Sequence, residues 1–170
     1  MKNPLLLVIS LMLTLNIFSQ GYGKPIEFKS IEMVDSSTRK ETLYWNGMEW
    51  LGKHFNNANK VIQIADKDAG IILARGNFGF DAPGTLLSGS ESRIITFMIK
   101  FSFKDGKYKL ELSDFNDSQF GLITDGDYEE HSMNKKNVAK QWKAAQDKTR
   151  ENISFVYNSI KEFMFQTSNW

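Results

Sequence analysis

Two histidines, His54 and His131, are the first side chains to test for metal-binding or catalytic chemistry. They lie in unrelated surroundings, neither has a second histidine within a helical turn, and the chain contains no cysteine. A zinc site needs several such ligands at characteristic spacing. We therefore predict no metal site at either residue and interpret His54, near the end of a predicted helix, as a surface residue.

The acidic residues that precede His131 form a second candidate site. Asp125, Asp127, Glu129 and Glu130 lie within a few positions of this histidine. Carboxylates beside an imidazole can hold a divalent cation or act as general acid and base. This cluster supports one alternative function, a hydrolase, although acidic loop ends are usually solvated and we assign no ligand role to it.

A calcium-loop motif is matched only in part. Asp114, Asn116 and Ser118 have the spacing that begins an EF-hand loop, and Asp125 occupies its twelfth position. The sixth position is Gln119, where the sharp turn requires glycine, and the twelfth ligand should be a bidentate glutamate. The sequence therefore predicts a solvated acidic segment here.

Motifs for nucleophilic catalysis and phosphate binding are absent from the sequence. There is no cysteine, no Gly-x-Ser-x-Gly elbow and no serine set beside an obvious histidine base. The spacing Gly76-Asn77-Phe78-Gly79 lacks the third glycine and the lysine of phosphate-binding loops. We predict no catalytic residue and no cofactor.

The N-terminal segment has the composition of a secretory signal peptide. Lys2 precedes an apolar run over residues 5–18, which ends at Ser19, Gln20 and Gly21. An export signal has a positive start, an apolar segment of roughly 7–15 residues and a small-residue exit, whereas a membrane anchor needs about 20 apolar residues. We predict a signal peptide over residues 1–21, one domain over residues 22–170 and no transmembrane segment after cleavage.

Composition narrows the class of the exported protein. Without cysteine the chain is neither a Cys-anchored lipoprotein nor disulfide-bonded, so its aromatic-rich core must stabilise it alone. Removing Lys2 from the 21 basic residues leaves a formal balance with the 20 acidic ones. A chain without a basic excess lacks the electrostatic attraction that nucleic acids require. We predict a periplasmic or secreted protein that does not bind nucleic acid.

The first part of the chain predicts a strand followed by a helix. Residues 26–34 alternate loosely between apolar and polar side chains, as an edge strand does. Thr38 and Glu41 have capping-box spacing, which predicts a helix start. One helical face then carries four apolar residues: Tyr44, Met48, Leu51 and Phe55. The asparagines of residues 56–59 are expected to end this helix.

The middle of the chain predicts strands. Residues 60–65 and 70–75 form two short strands joined by an Asp- and Gly-containing turn, with Ile62 and Ile64 on one face and Gln63 on the other. Residues 79–92, rich in glycine, serine and proline, predict a loop.

A hairpin is the best-defined unit. Apolar residues alternate strictly over residues 95–103, and Asp105-Gly106 suits a two-residue type I′ turn with positive φ at both positions. This turn predicts the pairs Lys104–Lys107, Phe103–Tyr108, Phe101–Leu110 and Ile99–Leu112, with Lys100 opposite Glu111 on the outer face. A slip by one residue would expose every apolar partner.

The C-terminal region predicts a polar segment and a long helix. Residues 121–124 are a doubtful sixth strand, and helical spacing runs over about residues 135–165. Trp50 and Trp142 occupy apolar faces and are predicted to be buried. The lysines of the last helix are predicted to form a solvated face: Lys135, Lys136, Lys140, Lys143 and Lys148.

Several short motifs, in this order, resemble a family of exported proteins from Gram-negative bacteria that is described as a domain of unknown function with a TATA-binding-protein-like fold. They are Leu43-Tyr44 with Trp50, Val61-Ile62-Gln63, the run from Asp66 to Gly76, and Phe101 with Lys104-Asp105-Gly106-Lys107-Tyr108-Lys109. The resemblance covers roughly residues 26–115. It implies a curved antiparallel sheet with helices on one face and supplies no catalytic residue.

These observations predict a two-layer α+β domain with about five antiparallel strands in the order β-α-β-β-β-β-α. A helix-grip fold around an apolar cavity is the alternative, although it would need about seven strands. The function that we favour is non-enzymatic binding of a protein or small-molecule partner, with a carrier of lipid or another apolar ligand as a further alternative. The candidate ligand or partner face comprises Gln63, Arg75, Lys100, Lys109 and Glu111, beside Thr96 and Met98; the loop at residues 79–92 is a second candidate.

Overall fold

The computed structural model describes residues 23–84, 89–128 and 135–166. Within them the elements are β1 (Phe28–Met33), α1 (Lys40–His54), α2 (Ala58–Val61), β2 (Ile62–Asp66), β3 (Ile71–Pro83), β4 (Ser90–Lys104), β5 (Lys107–Asp117), β6 (Gly121–Leu122) and α3 (Lys135–Gln166). No helix in these ranges is long and apolar enough to cross a membrane. The predicted signal peptide lies outside the described residues, and its cleavage stays a prediction.

The strands form one open antiparallel sheet with both long helices on the same face. The strand order is β1-β5-β4-β3-β2, and β6 pairs with β5. Helices α1 and α3 contact β3, β4 and β5 as well as each other. The predicted α+β class is confirmed. β6 corresponds to the sixth strand considered over residues 121–124, and α2 is a short helix that the sequence did not predict. The open sheet excludes the helix-grip alternative.

The β4–β5 hairpin has the predicted register. Phe103 pairs with Tyr108, Phe101 with Leu110, Ile99 with Leu112 and Lys100 with Glu111. The inward side chains of both strands are buried, and the rings of Phe101 and Phe103 stack at 5.5 Å. Burying side chains of this size contributes roughly 1.5–3 kcal/mol each to folding.

The hairpin turn differs from the predicted type I′ turn. Gly106 has a φ of 72°, but Asp105 is not at positive φ. This turn is attached to the segment before α1: the Gly106 amide donates to the Thr38 carbonyl, and the Val34 amide donates to the Gly106 carbonyl. These tertiary hydrogen bonds hold the turn against the segment that precedes α1.

The same turn caps α1, so the predicted capping box is wrong. Arg39 occupies the N-cap position without a side-chain cap, and the Lys40 amide donates to Asp105 Oδ1 at 2.7 Å. Glu41 forms an ion pair with Lys67 instead of turning back to the cap. A carboxylate from a distant hairpin thus accepts the free N–H that a local threonine was expected to satisfy.

Most of the predicted loop at residues 79–92 is strand. β3 continues to Pro83, and β4 begins at Ser90, so the two strands pair from Ile71–Ser102 to Pro83–Ser90. Phe80 and Ala82 are buried while Asp81 between them is exposed, which is the period of a strand. Pro83 is the last residue of β3, where its missing backbone N–H does not interrupt the ladder inside the strand.

A bulge in β2 reverses the predicted face of one residue. The register shifts between Ile62, which pairs with Ala74, and Ile64, which pairs with Leu73. Leu73 lies on the outer face, because Ile72 and Ala74 on either side of it are buried. Ile64, directly opposite Leu73, therefore lies on the same outer face and is 50 % exposed. The extra residue, Gln63, is exposed at the bulge.

Helices α1 and α3 cover the inner face of the sheet. Trp50 and Trp142 are buried, as predicted. On α1, Tyr44 and Leu51 are buried while Met48 is only half-buried. The predicted lysines on α3 are all exposed, and this helix of 32 residues is about 48 Å long. Asn57, expected to end the first helix, instead caps α2 by accepting from the Lys60 amide.

One ion pair is buried beneath the aromatic layer. Arg93 and Asp117 form a salt bridge with almost no exposure of either side chain. The guanidinium lies 4.1 Å from the ring centroid of Phe120. Asp117 Oδ1 also accepts from the amides of Gln119 and Phe120, at 2.7 and 3.0 Å. This carboxylate therefore fixes the turn that leads from β5 into β6.

We predict opposite effects of alanine at two glycines of α1. A Cβ at Gly47 would lie 2.7 Å from the buried Phe103 ring, whereas one at Gly52 would meet nothing within 4 Å. Overpacking costs about 1–3 kcal/mol, and alanine gains about 0.8–1 kcal/mol over glycine in a helix. Gly47→Ala should thus lower the free energy of unfolding in urea, while Gly52→Ala, the matched control, should raise it. Equal effects of the two substitutions would contradict the close packing of α1 on β4.

Candidate functional site

The sheet surface opposite the helices is the candidate site, and we call it the open face. It is formed by outward side chains of β1 to β5 and is not covered by α1 or α3. Its members include Lys29, Ile31, Met33, Ile64, Leu73, Arg75, Thr96, Met98, Lys100, Lys107, Lys109, Glu111 and Ser113. On β3, β4 and β5 most of these residues lie outward because they alternate with residues that are buried in the inner layer.

Three predicted residues meet in a charged cluster on the open face. Glu111 accepts from Lys109 at 2.9 Å and lies 3.6 Å from Lys100 on the adjacent strand. The hydrogen bond from Lys109 is the main cause that lowers the pKa of Glu111; burial opposes it, and the charges of Lys100, Lys109 and Lys29 add to the lowering. Glu111 is therefore a charged acceptor that is already occupied by lysines.

The other two predicted residues do not join this cluster. Arg75 pairs with Met98 in the β3–β4 register and is exposed. Within the described ranges its guanidinium has no hydrogen-bond or ion-pair partner. Gln63 lies farther away, at the bulge of the edge strand β2. The structure thus unites Lys100, Lys109 and Glu111, leaves Arg75 one strand away, and leaves Gln63 at the sheet edge.

A bulge in β5 interrupts the open face beside Arg75. Thr96 pairs with Asn116 and Met98 with Ser113, so β5 carries one extra residue. Asp114 has a φ of 53°, a left-handed conformation that few non-glycine residues adopt. Asn116 Nδ2 donates to the Asp114 carbonyl at 2.7 Å. Bulges and backbone strain of this kind often occur at functional sites.

Two depressions flank Met98 on the open face. One, of about 320 Å³, is lined by Arg75, Thr96, Phe97, Met98, Asp114 and Asn116. The other, of about 290 Å³, is lined by Glu27, Lys29, Leu73, Met98, Lys100, Glu111, Ser113 and Asp114. Asp114 and Arg75 line the first depression together without forming an ion pair. This depression therefore offers a ligand the Arg75 guanidinium and the Asp114 carboxylate, whose Oδ2 accepts a long hydrogen bond of 3.5 Å from Ser113 Oγ.

Sequence reasoning missed Asp114 and the apolar part of the open face. Ile31 and Met33 of the edge strand are 65 % and 66 % exposed. The alternation of β1 indicated two faces, but not which of them would meet the helices. Asp114 was considered only as a calcium ligand, although a break in the apolar alternation after Leu112 is the signal that a bulge leaves.

The acidic candidates from the sequence do not assemble within the described residues. Asp114 and Asn116 belong to β5, and Asp125 Oδ1 accepts from the Lys24 amide at 2.6 Å. Across residues 23–84, 89–128 and 135–166, no three side chains of His, Asp or Glu form a group able to hold a metal ion. His131 and its neighbours Glu129 and Glu130 lie outside these ranges.

Comparison with known proteins identifies the family. A family model described as "Domain of unknown function (DUF4468) with TBP-like fold" matches residues 29–117, just over half of the chain. The chain belongs to the DUF4468 family. The match covers β1 to β5 and therefore includes the open face, the hairpin and the β5 bulge. A comparison with curated proteins finds no match.

Two solved structures have a fold similar to the one seen here. A DUF4468 family protein from Bacteroides ovatus ATCC 8483 is 15% identical, with a TM-score of 0.56 over 80% of this chain and 86% of that one. A TBP-like protein from Parabacteroides distasonis ATCC 8503 is 13% identical, with a TM-score of 0.54 over 81% and 93%. At these identities the likeness shows the fold alone.

We predict that Glu111 stabilises the protein in a pH-dependent way. Because its folded-state pKa is lowered, its contribution is present above the unfolded value of about 4.3 and is lost as pH falls through the folded pKa. Glu111→Gln should lower the free energy of unfolding at pH 7 by at most about 1 kcal/mol, since the lysines are half exposed. Urea titrations from pH 7 to 3 should show this difference disappear.

Glu162→Gln on α3 is the matched control, because Glu162 is an exposed glutamate on a helix that lies on the other side of the sheet from the open face. A difference for Glu111→Gln that persists unchanged at pH 3 would show that the cluster does not act through charge.

Proposed function

We propose that this DUF4468 protein is an exported binding module that recognises a peptide segment, either free or part of a partner protein, on its open face. The observation that carries the proposal is the shared depression of Arg75 and Asp114, two opposite charges that form no ion pair with each other. A peptide end supplies the complement, because it carries both a carboxylate and an ammonium or amide N–H.

The chemistry of the two side chains supports this choice of ligand. A guanidinium binds a carboxylate through two parallel hydrogen bonds, and a carboxylate accepts from ammonium or amide groups. Thr96 and Asn116 add polar groups to the same depression, and Met98 provides an apolar floor. The site is preorganised because its residues lie on strands. Neither α1 nor α3 covers it, so no helix must move before a ligand can bind.

The alternatives have less support. A lipid carrier was inferred from a helix-grip fold, whereas the sheet is open and its inner face is filled by aromatic residues. The groove between β1 and α3, about 410 Å³ and lined in part by Ile26, Phe28 and Ile153, is open to solvent along its length. The hydrolase hypothesis depends on His131, outside the described residues. We propose neither a lipid carrier nor a hydrolase built on the acidic cluster near His131.

Binding can be tested with triglycine and two blocked forms of it. We expect triglycine at millimolar concentration to shift the amide NMR signals of Thr96, Met98 and Asn116 but not those of α3. Acetylation converts its ammonium into a neutral amide, so Asp114 loses its charged partner, and amidation removes the carboxylate that Arg75 binds. Each block should weaken binding about tenfold, as expected for one lost charged hydrogen bond.

Variants make the assignment specific. Arg75→Gln should weaken triglycine binding about tenfold. It should leave the affinity for the amidated peptide unchanged, because that peptide has no carboxylate for the guanidinium to bind. Lys140→Gln on the exposed side of α3 is the matched control and should change neither affinity. The proposal fails if the signals of the open face do not respond to any of the peptides, or if Arg75→Gln weakens both forms equally.

Export can be tested separately by expressing the full chain in a Gram-negative host. We expect osmotic shock to release a protein whose N-terminal sequence begins close to residue 22, because the signal peptide has been removed. Deletion of residues 5–18 should retain the protein in the cytoplasm. Recovery of the intact N-terminus in the cytoplasm from the full chain would contradict export without affecting the binding proposal.

A further inference from the structure

A serine and a histidine meet between the two long helices, on the side of the molecule opposite the open face. Ser159 Oγ of α3 lies 2.8 Å from Nε2 of His54, the last residue of α1. The two residues are 105 positions apart in the chain. Sequence reasoning found no serine beside a histidine and interpreted His54 as an ordinary surface residue, because only the packing of α3 on α1 brings them together.

The other ring nitrogen fixes the tautomer of His54. Nδ1 lies 2.9 Å from the carbonyl oxygen of Trp50. A carbonyl can only accept, so Nδ1 carries the hydrogen and the neutral ring has its lone pair on Nε2. Nε2 then accepts the hydroxyl hydrogen of Ser159. This is the direction of transfer that a general base needs, with a backbone carbonyl in the orienting role that a carboxylate takes in other catalytic triads.

Trp50 holds both members of the pair in place. Its indole ring stacks on the imidazole with centroids 4.5 Å apart and an angle of 21°. Its Nε1–H donates to Ser159 Oγ at 3.0 Å. The serine oxygen has two lone pairs, so one of them stays free to attack an electrophile. The indole N–H also stabilises negative charge that develops on this oxygen.

The pair can be reached from solvent. His54 is exposed and Ser159 is half-buried. Phe163 lies one helical turn after Ser159 on the same face of α3, and Lys53 Nζ is 4.8 Å from the centre of its ring. The Phe163 ring therefore forms an aromatic wall beside the serine, which suits a small acyl group. The Lys53 ammonium over that ring is itself paired with Glu49 at 2.8 Å.

We propose that Ser159 is a nucleophile activated by His54 as general base and that it hydrolyses small carboxylic esters. Ser159 Oγ bonds to the acyl carbon as its proton passes to His54 Nε2. The bond to the alcohol oxygen then breaks, and that oxygen takes the proton from His54. Water, deprotonated by His54 in turn, cleaves the acyl-serine, releases the carboxylic acid and returns the proton to Ser159.

This activity is independent of peptide binding on the open face. The two sites lie on opposite sides of the sheet, and none of the residues of the serine site contributes to the open face. Loss of one activity should leave the other unchanged, so the failure of either proposal can be recognised separately.

The test uses diisopropyl fluorophosphate, which phosphorylates activated serines, and p-nitrophenyl acetate as the ester. We expect covalent labelling at Ser159, located by peptide mass spectrometry, and release of p-nitrophenol that Ser159→Ala abolishes. His54→Gln should slow both reactions at least about 100-fold, the lower range for loss of a general base. Ser154→Ala is the matched control, since Ser154 is an exposed serine on the same helix whose hydroxyl donates to the Arg150 carbonyl at 3.1 Å.

A second pair of variants keeps the proposal falsifiable if the alanine variant unfolds. Because the chain has no cysteine, Ser159→Cys and Ser154→Cys each introduce a single thiol. Iodoacetamide should alkylate the thiol at position 159 at least about tenfold faster, and His54→Gln should remove this difference. If both thiols react at the same rate, or if the fluorophosphate labels Ser159 no faster in the native protein than in His54→Gln, the contact is structural and the proposal is wrong.

Discussion

The register of the β4–β5 hairpin is the constraint on which the rest of the structure depends. These strands are the centre of the sheet: β3 pairs with β4, β1 pairs with β5, and the turn between them caps α1 through Asp105. A slip by one residue would expose Phe101, Phe103 and their partners and would also misplace the cap. Because the chain has no disulfides, no covalent link would hold α1 against the sheet if these apolar contacts and the Asp105 cap were lost.

The elements that follow from local periodicity could be predicted, and those that depend on distant partners could not. Alternation together with a two-residue turn at Asp105-Gly106 was sufficient for the hairpin register, and helical spacing was sufficient for α1, α3 and the burial of Trp50 and Trp142. The cap of α1 could not be predicted, because Asp105 is 65 residues away in the chain. The extension of β3 to Pro83 was hidden by glycine and proline, whose loop preference is outweighed by pairing with β4.

The candidate sites show the same division between local and distant information. Lys100, Lys109 and Glu111 were correctly assigned to one outer surface by strand parity. The bulges at Gln63 and Asp114 change parity without a strong local signal, so the outward position of Ile64 was missed. The Ser159–His54 contact lies further beyond sequence reasoning, since it requires the crossing of two helices from opposite ends of the domain.

The bulge at Asp114 connects the stability of the core to the chemistry of the open face. In an uninterrupted strand, Phe115 and Asp117 would have the parity of Ser113 and would point outward. The extra residue returns both to the inner layer, where the Phe115 ring stacks on Phe97 at 5.3 Å and Asp117 binds Arg93. An unpaired buried arginine would cost several kcal/mol. The inward position of Phe115 and Asp117 therefore offsets the strain of the left-handed backbone at Asp114. The carboxylate of Asp114 then lies on the outer surface beside Arg75 as a consequence of the same bulge, which is why a residue needed for folding also lines the proposed binding depression.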